Sequence, residues 1–157
     1  GLEREHAGAA RQYGLGITPW SPLAAGFLTG KYERGDARAR GEGRLGGPNP
    51  FGNSKFTERN WRVLEVLKAV AAELGCPPAQ VALAWVSAQP GVTAPIIGAR
   101  TLEQLQNNLA SLAVRLTPAQ LEALAEVSAL PPSSPASILG PEIKRLIFGG
   151  ADVEGWR

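Results

Sequence analysis

The sequence predicts an α/β fold in which short parallel strands are separated by helical crossovers. Two apolar, partly β-branched runs, residues 15–20 and 92–97, read as strands. A pair of helices lies between them, and helices also precede the first run and follow the second. Several helix starts carry local capping signals, so the helical segments are delimited as well as periodic. The resulting order is helix, strand, long loop, two helices, strand, two helices, and parallel strands need crossovers of that kind.

Residues 3–13 mix charges with Ala7, Ala9 and Ala10 and favour a helix that Gly14 and Gly16 stop. The first strand runs through Leu15, Ile17, Thr18, Pro19 and Trp20 into Ser21-Pro22-Leu23, where proline marks its end. Residues 33–56 are rich in Gly and Arg and close on Pro48-Asn49-Pro50. That stretch is longer than an ordinary connection and reads either as a functional lid or as a disordered insertion. Thr57 is placed to N-cap a helix to Leu74, with Trp61, Leu64, Leu67, Val70 or Ala71, and Leu74 at three- and four-residue steps and Gly75 as its stop. Pro77-Pro78 suits the first turn of the next helix, whose packed face holds Val81, Ala82, Trp85 and Val86. After the second strand, Thr101 begins a helix with Leu102, Leu105 and Leu109 on one face, and Thr117-Pro118 begins another with Leu121, Leu124 and Val127. Both starts read T-x-x-Q, the capping-box pattern. Residues 1–130 thus form the main unit. Residues 131–157 are a Pro- and Ser-rich extension with one short helical stretch, 141–148, expected to pack over it.

A chain of 157 residues with 44% hydrophobic content is long enough to bury a core. Its formal net charge is only +2, and the calculated pI near 9 reflects a slight Arg excess, not a basic stripe. Composition therefore gives no footprint for nucleic acid, although small anionic ligands fit it. One cysteine, Cys76, and one histidine, His6, leave no disulfide framework and no metal-ligand spacing. No apolar run approaches the roughly 18 residues of a membrane span. A reducing, cytoplasmic setting is the simplest expectation, with neither membrane nor nucleic acid as partner. The charged opening, Gly1-Leu2-Glu3-Arg4-Glu5-His6, raises the expectation that the start of a larger protein is missing.

Parallel α/β architectures bind ligands at the carboxyl ends of their strands, so the two strand exits are the candidate site. In the first, Gly26 and Gly30 permit close backbone approach, Ser21 offers a hydroxyl and Lys31 a cation, a set suited to a pyrophosphate. The spacing is not that of a P-loop, and an ordinary glycine-containing loop is the default reading of these residues alone. At the second exit, Gly98-Ala99-Arg100-Thr101 leads into a helix N-terminus, where free N–H groups attract phosphate and Arg100 offers a bidentate grip. Glu103 opposes an anion there but also complements the helix dipole. Gln104 has an ordinary role as a capping residue, and Asn107 and Asn108 as solvated side chains. Trp61 and Trp85 read as core and Cys76 as structural. Trp156 is open between a pocket mouth and a frayed end.

Taken together, G-L-G-I-T-P-W-S-P-L-A-A-G-F-L-T-G-K-Y, A-E-L-G, P-A-Q-V-A-L-A-W-V and P-I-I-G-A-R-T-L-E-Q-L-Q-N-N resemble the aldo-keto reductase family. The resemblance implies the C-terminal half of a TIM (β/α)8 barrel, with residues 15–22 on strand seven and 93–97 on strand eight, followed by the extension. It implies an NADP-dependent oxidoreductase that transfers hydride to a small-molecule aldehyde or ketone, with NADPH favoured by Arg100 and NADH not excluded. By the same resemblance Trp20 stacks on nicotinamide, while Ser21 and Leu23 meet the pyrophosphate and ribose, with Gly26 and Lys31 along that wall. Gly98 and Arg100 meet the 2′-phosphate, Gln104 holds that end, and Asn107 and Asn108 contact adenine, although Asn107 stands where many members have Glu. The family's Asp, Tyr, Lys and His belong to the first half of the barrel. Neither Tyr13 nor Tyr32 stands in that motif, so no catalytic residue is assigned and the chain alone is expected to be inactive. Open strand edges imply self-association or pairing with an N-terminal half. The alternative is a non-catalytic nucleotide-binding or interaction module of the same fold.

Overall fold

The computed structural model describes residues 2–34, Leu45, residues 55–131, Ile143 and residues 146–149. A π-helical turn, Leu2–His6, leads into α1 (Ala7–Gln12). A bent 3-10 segment, Ala24–Thr29, lies before the helical core of α2 (Glu58–Leu74) and α3 (Pro78–Ser87). Two further helices, α4 (Leu102–Ala110) and α5 (Pro118–Ser128), flank a short 3-10 turn, Ser111–Ala113.

The helices begin and end where their capping residues predict. The Thr57 hydroxyl accepts from the Asn60 N–H, and Gly75 closes α2 with a left-handed φ of 63°. The Cys76 N–H then bonds to the Ala71 carbonyl and the Gly75 N–H to that of Ala72, the double closure of a Schellman motif. Thr117 and Gln120 form a reciprocal capping box. At the other T-x-x-Q start, Thr101 caps the Gln104 N–H, but the Gln104 side chain accepts from the Arg100 N–H instead of completing the box.

Hydrophobic burial is concentrated on α2. Trp61, Leu64, Leu67, Val70 and Ala71 are buried on one face, which packs on α5 through Leu124 and on α3 through Val81 and Ala82. The α2 and α3 axes meet at 100°, the bend occurring at Gly75–Pro77. Arg59 of α2 reaches the end of α5, donating to the carbonyls of Ser128 (2.6 Å) and Ala129 (3.0 Å), which lack helical partners. Trp85 packs at the margin of this core, and its indole N–H finds no acceptor among the described residues.

The expected partial barrel is not built. Among the described residues no strand forms, and the domain is largely helical. The two runs predicted as strands seven and eight are reduced to two isolated parallel bridges, Ile17 with Val92 and Trp20 with Ile96. The Thr93 N–H donates to the Ile17 carbonyl and the Ile96 N–H to the Pro19 carbonyl, each at 2.8 Å. Two physical causes stop the ladder there. Pro19 and Pro95 each remove a donor from a run of six residues, and among the described residues each run has a single neighbour, too little to sustain a sheet. Close approach does occur: a Cβ on Gly16 would stand 2.7 Å from Thr93 Oγ1.

The leucines of α4 also differ from a packed face. Leu102, Leu105 and Leu109 are exposed, as is Leu112 beyond them. The helix turns its polar side inward, where Asn108 is buried and Asn107 accepts from Gln80 of α3 at 2.8 Å. Most of the 33–56 stretch and of the 131–157 extension lies outside the described residues, so the lid and Trp156 are not described, and of the expected 141–148 helix only Ile143, Leu146 and Ile147, all helical, and Phe148, in a turn, are. Leu45 is described: it is buried, and its N–H donates to the Tyr32 hydroxyl.

Burial pushes the Cys76 thiol above its ordinary range. Only the thiolate is nucleophilic, so alkylation of the folded chain should require a higher pH than a free cysteine needs. Following iodoacetamide labelling against pH, folded and in urea, checks this; coincident profiles would remove the burial effect.

Candidate functional site

The first strand exit is a tight loop anchored from below. Phe27 is buried at its centre, with ring centroids 4.9 Å from Trp61 and 5.9 Å from Phe56, and Tyr32 stands edge-on to Phe56 at 5.6 Å. Arg34 holds the far end to α2 through Glu58 (2.6 Å) and Glu65 (3.3 Å). These pairs are exposed and add little stability on their own.

Held in this way, the loop carries an unusual backbone. Ser21, Ala24 and Ala25 have φ of 58°, 49° and 58°, and Gly26 and Gly30 follow at 92° and 80°. Non-glycine residues in the left-handed region cost on the order of 1–3 kcal/mol each, and such strain clusters at ligand clamps. The turn is closed by the Ala24 N–H to the Ser21 carbonyl, the Gly26 N–H to that of Leu23, and the Thr29 hydroxyl to that of Gly26.

The structure places the ten predicted site residues unevenly. Trp20 is 72% exposed at the end of the first bridged segment, Ser21 is exposed and Leu23 is half-buried against the core. Lys31 lies along the loop with Nζ 3.4 Å from the position of a Cβ on Gly26, and its ammonium sits 5.1 Å above the Tyr32 ring. Because Trp20 bridges Ile96 in parallel, both segments leave from the same end, which brings the 21–31 loop and the Gly98–Arg100 turn to one side of the molecule. Gly98 is exposed with open space around it, and Arg100 is exposed with no carboxylate partner among the described residues. Gln104, Asn107 and Asn108 face other tasks: Gln104 is bonded to the Arg100 N–H, Asn107 to Gln80, and Asn108 is buried. Gln80 could not be found from sequence, because it meets Asn107 only through the packing of α3 on α4.

No constellation for proton transfer appears among the described residues. Tyr32 is buried with its hydroxyl bonded to the Leu45 N–H, while Tyr13 and His6 are exposed on and before the first helical segment's end.

A largely helical domain with a loop of left-handed backbone, and an arginine that has no carboxylate partner among the described residues, is thus the class of protein the geometry defines. The sequence profile described as "Aldo/keto reductase family" matches residues 3–129. The chain belongs to that family. It is 37% identical over 136 residues to a "Probable voltage-gated potassium channel subunit beta" of Oryza sativa subsp. japonica, covering 85% of this chain and 40% of that protein. The protein so described in Arabidopsis thaliana is 35% identical over 87% of this chain and 42% of its own length. "Uncharacterized oxidoreductase YrpG" of Bacillus subtilis (strain 168) is 41% identical over 73% of this chain and 32% of its own length. The chain therefore spans less than half the length of these relatives.

Membership does not restore the expected barrel or its reaction. The expectation of hydride transfer to an aldehyde or ketone rests on a strand-rich barrel, and the described residues build no sheet and no closed nucleotide-binding fold. The reading of this chain as an oxidoreductase, and its alternative as a non-catalytic module of the same fold, are both corrected on that ground.

Proposed function

We propose that this chain supplies a phosphate-gripping wall for a nicotinamide dinucleotide, with NADPH favoured over NADH, and carries out no reduction by itself. The observation that supports this best is the strained loop at Ser21, Ala24 and Ala25, since a fold retains such backbone where a ligand or a rigid neighbour requires it. Ser21, Leu23, Gly26 and Lys31 take the pyrophosphate side, Trp20 offers a broad exposed face for the nicotinamide, and Gly98 and Arg100 take the 2′-phosphate. The present positions of Gln104, Asn107 and Asn108 give them a positioning part, holding the Arg100 turn and α4 in place.

The same proposal includes a partner. Among the described residues nothing pairs with the outer edges of the bridged segments, and the α4 leucines face outward, with Leu102 70% exposed. A complementary aldo/keto reductase segment adding parallel strands would cover both.

Titration of the chain with NADPH and NADH, following tryptophan quenching with Trp20→Phe as the control, tests the binding reading. Arg100→Ala should weaken NADPH about tenfold, the loss of one charge-assisted phosphate contact, and NADH by much less. Equal weakening of both would remove the 2′-phosphate role. A folded chain that binds neither would overturn the whole reading. Sedimentation should show concentration-dependent association through the exposed face, and a strict monomer at high concentration counts against the partner.

A further inference from the structure

We propose that Lys68, on α2, is a second cation of the 21–31 loop and closes on the same pyrophosphate as Lys31. The inference rests on the dinucleotide reading above and adds a residue that neither the sequence motifs nor the family resemblance singles out. Its first support is position. Gly30 has a left-handed φ of 80°, and a Cβ placed there would lie 2.9 Å from Lys68 Cε, 3.7 Å from its Nζ and 3.8 Å from Pro78 Cγ. The missing side chain lets the Lys68 stem lie directly on the loop, beside the start of α3. Lys31 Nζ lies 3.4 Å from the equivalent point on Gly26, four residues earlier in the same turn. That turn is tied internally by the Thr29 hydroxyl to the Gly26 carbonyl and the Gly30 N–H to the Phe27 carbonyl, so both ammonium groups are held against one rigid piece of backbone.

Charge supplies the second support. Glu65 stands three residues before Lys68 on the same helix, the spacing of an intrahelical ion pair, yet it pairs with Arg34, as does Glu58. Glu73 accepts from Gln120. Among the described residues no carboxylate pairs with Lys68 or Lys31, and Lys31 engages only the Tyr32 ring. Both ammonium groups lie against this loop without a carboxylate among the described residues, and an oxyanion with several acceptors that reached both would neutralise them together. A pyrophosphate has that charge and span. It can come from the dinucleotide or from free inorganic pyrophosphate.

Residue-resolved lysine acetylation of the full chain separates the outcomes, with NADPH in one arm and inorganic pyrophosphate in the other. Labelling of Lys31 and Lys68 should fall together by about threefold or more in both arms, with NADPH effective at the lower concentration and Lys55 unchanged. Protection of Lys31 alone would overturn the assignment of Lys68 and leave the dinucleotide reading standing. Protection by pyrophosphate but not by NADPH would overturn both. Lys68→Gln is a surface change on a helix and should leave helical content intact while raising the NADPH Kd by about three- to tenfold and flattening its salt dependence. An unchanged Kd and salt slope in a folded variant would also sink the proposal.

Discussion

Phe27→Ala should lower unfolding stability by about 3–5 kcal/mol, the usual cost of emptying a buried aromatic site. Phe27 is 1% exposed and is the ring around which Phe56 and Trp61 gather, so its removal opens a cavity that neighbours on two elements would have to close together. Against a typical total of about 5–15 kcal/mol, that loss leaves a marginal fold. It also bears on the site, because Phe27 is what pins the left-handed turn at Ala24–Gly26 to α2. Urea denaturation followed by circular dichroism checks the first effect. A loss below about 1 kcal/mol would mean the loop is held by something other than this ring.

A larger effect, with a pH signature, is expected from Val81→Asp. Val81 is fully buried where α3 packs against α2, with no cation near it in the core cluster. The introduced carboxyl would be desolvated, and burial raises an acid's pKa by up to about 3–5 units, each unit amounting to about 1.36 kcal/mol. Because the folded value lies above the unfolded one, both states are protonated at low pH and the ionisation penalty is absent there. As pH rises past the unfolded carboxyl's ordinary value of about 4, the unfolded chain releases its proton first, and stability falls until the folded value is reached. The variant's deficit should therefore grow between pH 4 and pH 7. Val81→Asn, polar but not ionisable, should be destabilised without that trend. Parallel pH profiles for the two variants would show that α3 opens enough to hydrate the site.

Much of the helical framework was legible in local residues. Thr57, Gly75, Pro78, Thr101 and Thr117 mark helix ends through hydrogen bonds and φ preferences that operate within four residues, and each acts in the structure at the end it marked. Trp61, Leu64 and Leu67 were legible as core because their spacing puts them on one helical face. The strands were not secured in the same way. A β-branched run states only what backbone would suit it, while a strand exists through its pairing with a neighbour, and here Pro19 and Pro95 remove donors from the pairing seen among the described residues. The apolar face of α4 misled for a related reason: periodicity shows that Leu102, Leu105 and Leu109 share a side but not whether anything covers it. At the site, Lys31 and Arg100 were visible as cations beside glycines. Lys68 and Gln80 were invisible, since each reaches its neighbour across a gap of more than twenty residues in sequence.

What the sequence by itself determined is therefore the family, the helix boundaries and the α2 core face, all of them encoded in short-range spacing. Tertiary structure alone decided that the two exits lie on one side, that the sheet stops at two bridges, and that Lys68 lies on Gly30 while Asn107 turns to Gln80. Those outcomes depend on which surfaces meet, and packing between distant segments is set by the sum of many weak contacts that no local pattern contains.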